Sequence, residues 1–260
     1  MCCFSGKVND VSDTSIFCRF HEGPEGSGKQ IVVYQMKYDA DEPLAMILPI
    51  PVREGSGENA VDFLPLDKYE RFFDDMHAPW ATKGYRGDFL GEPKRSLRRS
   101  VLKVHDVGNF EASFVPTLDD MDRLDKRFTL PRSTWQKIPQ YENFGFVVFK
   151  LKDGAGKPHP MAFAFPSASD NILFFPTVHI HDGEVHAREE FDHDLYAQFP
   201  EKPDAERIGQ WSSSGQNAGS FMKPIAAMAV DMGAPIYMRE IEGMHPNEDV
   251  LLKVRETVAT

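Results

Sequence analysis

Four of the nine histidines fall inside "FFPTVHIHDGEVHAREEFDHDLY", residues 174–196: His179, His181, His186 and His193. Imidazole titrates near neutral pH, and its neutral form ligates transition metals, so such a concentration has chemical consequences. Within the segment, "TVHIHDGEVHAR" carries Asp182-Gly183 between alternating apolar residues, the signal for a two-residue hairpin turn. Strand side chains alternate between faces. A turn at Asp182-Gly183 therefore sets His181 opposite Glu184 and His179 opposite His186. His179, His181, Glu184 and His186 then share one face, and Val178, Ile180, Val185 and Ala187 the other. Opposed pairs in a ladder have Cβ atoms about 4.5–5.5 Å apart, close enough to surround an ion with bonds of about 2 Å. The expected metal ligands are His179, His181 and His186, with Glu184 as fourth ligand or as general base. A mixed nitrogen and oxygen shell suits a divalent transition metal (iron, zinc or copper) and selects poorly among them. A solvated polar face, or a metal-free histidine site for acid–base work, are the alternatives.

The stretch "HIHDGE", His179–Glu184, resembles the core of the cupin metal motif, in which a His-x-His pair is followed by Glu three or four residues on. The resemblance covers about six residues. It implies a β-barrel fold and a divalent metal, and by analogy a metal-dependent oxidoreductase. His193, between Asp192 and Asp194, reads as part of an exposed polar loop, with a further ligand as the alternative. His105, in "KVHDV", joins the site only if its strand lies beside the hairpin.

A second chemistry starts at "MCCF". Removal of Met1 would leave Cys2 with an α-amine beside its thiol, a nucleophile with its own base. Cys2 and the later Arg19 are similar to the pattern of N-terminal nucleophile amidohydrolases of the bile-salt and penicillin acylase type, where an arginine follows the cysteine by about sixteen residues. Phe20, His21 and Glu22 depart from the residues those enzymes carry next. Cys2 and Cys3 could instead act as soft metal ligands, or form an inert terminus. The first eighty or so residues, with their cysteines and "IVVYQMKYDADEPLAMILPIPV", are also similar to an uncharacterised bacterial domain family whose strand ends in Leu-Pro-x-Pro; that resemblance implies no function.

These residues need elements to position them. "KQIVVYQMKY" and "LAMILPIPV" are β-branched and aromatic-rich and read as strands, as do "FGFVVFKL", "HPMAFAFP" and "NILFFPTVHIH". "SVLKVHDVGNFEASFVP" reads as a hairpin turning at Gly108-Asn109. "LDKYERFFDDMH" places Leu66, Tyr69, Phe72, Phe73 and Met76 on one helical face, and "TLDDMDRLDKRF" predicts a short helix. "GQWSSSGQNAGS" reads as a loop, and "NEDVLLKVRETV" as a closing helix capped by Asn247. Strands come in runs with helices between them. The expected fold is therefore α+β and β-rich, an antiparallel sandwich or barrel-like sheet with a few peripheral helices, in a single domain spanning residues 1–260.

The chain has 260 residues, 41% hydrophobic and 27% charged, with a formal net charge of −11. It has no broad basic surface pattern, which argues against nucleic acid as a partner. It has no apolar run long enough to span a membrane and no secretory leader pattern. A cytoplasmic location with reduced cysteines and a small-molecule substrate are the resulting expectations. The functional expectation is a transition-metal-binding protein acting as an oxidoreductase. The alternatives are an amidohydrolase using Cys2 and a non-enzymatic metal-binding or interaction module.

Overall fold

The computed structural model describes residues 3–21, 28–81, 105–107, 110–201, 203 and 208–255. The strands are β1 (Cys3–Phe4), β2 (Asp10–His21), β3 (Lys29–Asp39), β4 (Leu44–Ile50), β5 (Asp62–Leu64), β6 (His105–Val107), β7 (Phe110–Val115), β8 (Gly145–Leu151), β9 (Met161–Pro166), β10 (Ile172–Phe175), β11 (Arg188–Gln198), β12 (Ser212–Asn217), β13 (Pro235–Pro246) and β14 (Val250–Lys253). They form a seven-stranded sheet in the order β12-β13-β11-β2-β3-β9-β5, a five-stranded sheet in the order β1-β4-β8-β7-β6, and the pair β10-β14. All pairings are antiparallel except β11 with β2. The protein is thus a β-rich sandwich with a few short peripheral helices.

Period-two alternation explains the layering. In β4 every residue is buried. Leu44, Met46, Leu48 and Ile50 enter the core between the sheets, while Ala45 and Ile47 face an outer layer. A strand covered on both faces reads as a continuous apolar run, and "LAMILPI" is one. Helix α1 (Phe72–His77) and the turns of residues 218–230 cover the outer face of the seven-stranded sheet around Phe17, Ile31 and Val33. Helix α2 (Arg132–Trp135), with Tyr141, Val178 and Ile180, covers the outer face of the five-stranded sheet.

The expected helical face Leu66, Tyr69, Phe72, Phe73 and Met76 is wholly buried, although only Phe72–His77 is α-helical. β6 and β7, the two arms of the expected hairpin, pair antiparallel, Val107 with Phe110; its expected turn residues, Gly108 and Asn109, lie outside the described residues. Three expectations are corrected. The closing helix is in part strand β14, because Val250–Lys253 pairs with Phe175–Ile172. The loop of residues 209–220 contains edge strand β12, paired with β13. His193 lies in the middle of strand β11 and is 1% exposed, not in an exposed loop.

Candidate functional site: a buried histidine stack

The expected hairpin at Asp182-Gly183 does not form a ladder. Its backbone groups find other partners first, which a two-residue turn cannot outcompete. Ile180 forms a parallel bridge with Cys3, and its carbonyl accepts the Phe4 N–H at 3.0 Å. The Asp182 side chain accepts the Glu184 N–H at 2.9 Å, a local aspartate turn that competes with strand pairing. Gly183 supplies the positive φ of 85° at the bend, and its carbonyl accepts a hydrogen bond from the Thr134 hydroxyl of α2 at 3.2 Å.

The segment is held from the other side by the chain after β13. Asn247 Oδ1 accepts the His179 N–H at 2.7 Å, and Asn247 Nδ2 donates to the carbonyls of His179 at 2.9 Å and His186 at 3.0 Å. Asp249 Oδ1 accepts the N–H groups of Thr177 at 2.9 Å and Val178 at 3.2 Å, and its Oδ2 accepts the Tyr141 hydroxyl at 2.5 Å. Burial pushes the Asp249 carboxyl up to about 6. Neither residue is visible as a site residue in sequence. Asn247 has the composition of a helix cap, and only tertiary contact gives it this role.

The consequence is a different grouping of histidines. Side-chain alternation holds at Val178 and Ile180, which are buried in the outer apolar layer, and sends His179 and His181 the other way. There His179 meets His193, which projects from β11 with Phe191 and Leu195 toward the core between the sheets. The His179 ring lies 5.3 Å from His181 and 5.2 Å from His193, at interplanar angles of 18° and 16°. Its centroid is 4.2 Å from that of Phe191. His179 is fully buried, and among the described residues neither of its ring nitrogens has a hydrogen-bond partner. His181 Nε2 is likewise buried without a hydrogen-bond partner among the described residues. Burial drives all three rings toward the neutral form: His179 and His193 are pushed well below the usual range, and His181 down to about 4.

The other two expected ligands are elsewhere. Glu184 pairs with Lys137 on the surface. His186 is exposed and bonds Asp182 at 3.1 Å, which raises its pKa. The expected set His179, His181, Glu184 and His186 is therefore not assembled, because the face-sharing that defined it required a ladder. Among the described residues, no three His, Cys, Asp or Glu side chains are placed to hold one ion. β6, which carries His105, lies at the opposite edge of its sheet from β1. Cys2 lies outside the described residues. Arg19 donates to the carbonyls of Ala229 at 2.6 Å and Phe20 at 3.3 Å.

His181 also borders an open cleft of roughly 350 Å³ on the surface. No helix of the described residues is long and apolar enough to cross a membrane. No family model matches the chain. Among solved structures, baculovirus P35 is similar at 13% identity, covering 98% of this chain and 100% of that chain, with a TM-score of 0.46. A mutated baculovirus P35 after caspase cleavage is similar at 15% identity over 94% of this chain and 100% of that one, with a TM-score of 0.48. A chain of a caspase-8/P35 complex is similar at 13% identity over 94% and 96%, with a TM-score of 0.46.

Proposed function

We propose that this protein binds a divalent transition metal at the buried imidazoles of His179 and His181, beside His193. The observation that supports the reading is His179: a fully buried ring whose two nitrogens lack hydrogen-bond partners among the described residues. Native proteins rarely leave a buried polar side chain unsatisfied, and an absent ion or water is a standard explanation. Burial keeps the rings neutral, the form that ligates. The His179 and His181 rings are stacked at 18°, and since imidazole ligates through lone pairs in the ring plane, one ring would have to turn about its side-chain torsions to share an ion with the other. Glu184 and His186 drop out of the proposed ligand set.

Oxidoreductase chemistry is the further step of the same proposal. Two imidazoles leave positions for exchangeable ligands, and the cleft bordered by His181 gives a small molecule a place to approach. Such an ion would supply redox or Lewis-acid chemistry; the chain's own residues would hold it and exclude water on the Phe191 side.

Elemental analysis of untagged protein tests the reading. The expected result is about one equivalent of iron, zinc or copper in the wild type, lost in a His179→Gln/His181→Gln double variant with unchanged circular dichroism. Glu184→Ala and His186→Ala should keep the metal. Absence of metal after reconstitution, or equal loss from all variants, would sink the proposal. An amidohydrolase would instead lose amide-cleaving activity on alkylation of Cys2, independently of chelators.

A further inference from the structure

The seven-stranded sheet ends on an edge that β12 covers only in part. β12 meets β13 between Pro235 and Met238, whereas β11 pairs with β13 from Tyr237 to Pro246. The chain ahead of Ser212 turns away from the sheet: Trp211 is buried against Phe175, and its N–H bonds the Ile208 carbonyl. Among the described residues, 239–246 therefore pair on one side only. Main-chain groups of an antiparallel strand alternate between its two neighbours. The Ala234 carbonyl accepts the Ala218 N–H, the Ile236 N–H donates to Ser214 Oγ, and the Met238 carbonyl accepts Ser212 Oγ. Even-numbered residues of β13 thus face the β12 side, and by the same alternation Glu240 and Glu242 aim their main-chain groups at the open edge. The opening is short. His245 Nε2 bonds the Glu242 carbonyl at 2.8 Å, Arg188 bonds the Met244 carbonyl at 2.5 Å, and Gly243 has a φ of 85°, which blunts the edge beyond Glu242.

An open edge is a template for one more strand, and the side chains beside it decide which strand fits. Glu240 and Glu242 are exposed and stand directly opposite Asp194 and Asp192 of β11. Like charges in directly opposed positions repel. Burial, and then the charges of Glu240 and Glu242, raise the Asp194 carboxyl, with His77 at 3.6 Å acting against them. Among the described residues neither Glu240 nor Glu242 forms an ion pair. A second copy of this chain, pairing edge to edge, would lay these glutamates against one another. A strand with lysine or arginine at alternate positions would instead set a cation opposite each. We propose that the edge at Glu240 and Glu242 docks an extended basic segment of a partner protein, added antiparallel to β13 in line with β12. The proposal goes beyond the metal reading and uses none of its residues.

Fluorescence polarisation on the full chain tests it, with a labelled octapeptide of alternating lysine and valine as probe. The peptide should bind saturably at submillimolar concentration and low ionic strength, where exposed ion pairs are least screened. Glu240→Lys/Glu242→Lys should weaken it at least tenfold and take up a glutamate–valine peptide in its place. In the added strand the lysine N–H groups point at β13 and the valine N–H groups point away. Methylating the lysine amides should therefore cost at least tenfold, whereas methylating the valine amides should leave the affinity within about twofold, since those groups make no bond to the edge. The substituted side chains are exposed, and matching melting curves would confirm folding. No binding at millimolar peptide, undiminished binding in the double variant, or equal loss from the two methylated peptides would each overturn the assignment. So would a dimer in ultracentrifugation that Glu240→Lys/Glu242→Lys abolishes, since the edge would then belong to a second copy.

Discussion

Replacing Asn247 with alanine removes three hydrogen bonds at once: from the His179 N–H, to the His179 carbonyl and to the His186 carbonyl. Each such bond contributes about 0.5–1.5 kcal/mol net, and a donor left buried without a partner costs about 1–3 kcal/mol. His179 is fully buried, so its N–H has no water to turn to. The His186 carbonyl lies on an exposed residue and recovers part of its loss through water. The sum is a destabilisation of about 3 kcal/mol, which for a chain of this size lowers the melting temperature by about 6–12 °C. Urea denaturation of wild type and Asn247→Ala, with intrinsic fluorescence and circular dichroism read together, measures it. Asn247→Asp separates the bonds, because it keeps the acceptor for the His179 N–H but sets a carboxylate against two carbonyls. The aspartate variant should fall at or below the alanine variant. A loss under about 1 kcal/mol for Asn247→Ala would refute the claim that this side chain holds the histidine segment in place.

Asp249 gives a pH test. Its folded-state pKa of about 6 exceeds the unfolded value of about 3.9, so between them the folded protein binds more protons than the unfolded one. Stability therefore falls as pH rises through that window, by about 3 kcal/mol from this group. Asp249→Asn should flatten the curve, and parallel wild-type and variant curves from pH 4 to 7 would count against the assignment. At Gly145, an added Cβ would meet Phe114 Cε2 at 2.6 Å and Val52 Cγ2 at 3.1 Å. Gly145→Ala should therefore cost about 1–3 kcal/mol in thermal or chemical denaturation. Glu184→Ala breaks only the exposed pair with Lys137, and its stability should change by less than about 1 kcal/mol.

The strands and buried faces were legible because local pattern and tertiary environment agree there. "LAMILPI" is apolar throughout because both of its faces are covered, and Leu66 to Met76 keep helical spacing because one face is. The histidine segment was half legible. Alternation placed Val178 and Ile180 against the apolar layer and His179 and His181 away from it. The identity of the neighbours was not legible, since it depends on which strand captures Ile180 and which side chain captures the His179 N–H. A strong turn signal at Asp182-Gly183 predicted a ladder, and three more distant partners, Cys3, Asn247 and Asp249, prevented it. His193 was read as surface because Asp192 and Asp194 flank it. Period-two alternation in a strand sends those acids to the opposite face from the histidine, and that signal could have recovered it. "NEDVLLKV" has few residues and mixed periodicity, so its pairing with β10 decided its state.

Asn247, Asp249 and Val250 grip a segment sixty-eight to seventy-three positions earlier in the chain, and Cys3 bridges Ile180 from the far side. In folding time this has a cost. Contacts between such distant stretches form only after long loops close, and topologies rich in them fold slowly. The imidazoles are thus not sequestered when their own stretch of chain emerges or collapses. Their segment is fixed in place only when the stretch around Asn247 and Asp249 bonds its backbone. Protection of the His179 ring is therefore expected to come late in folding, and the rate at which it appears should follow completion of the whole sandwich rather than of any one sheet.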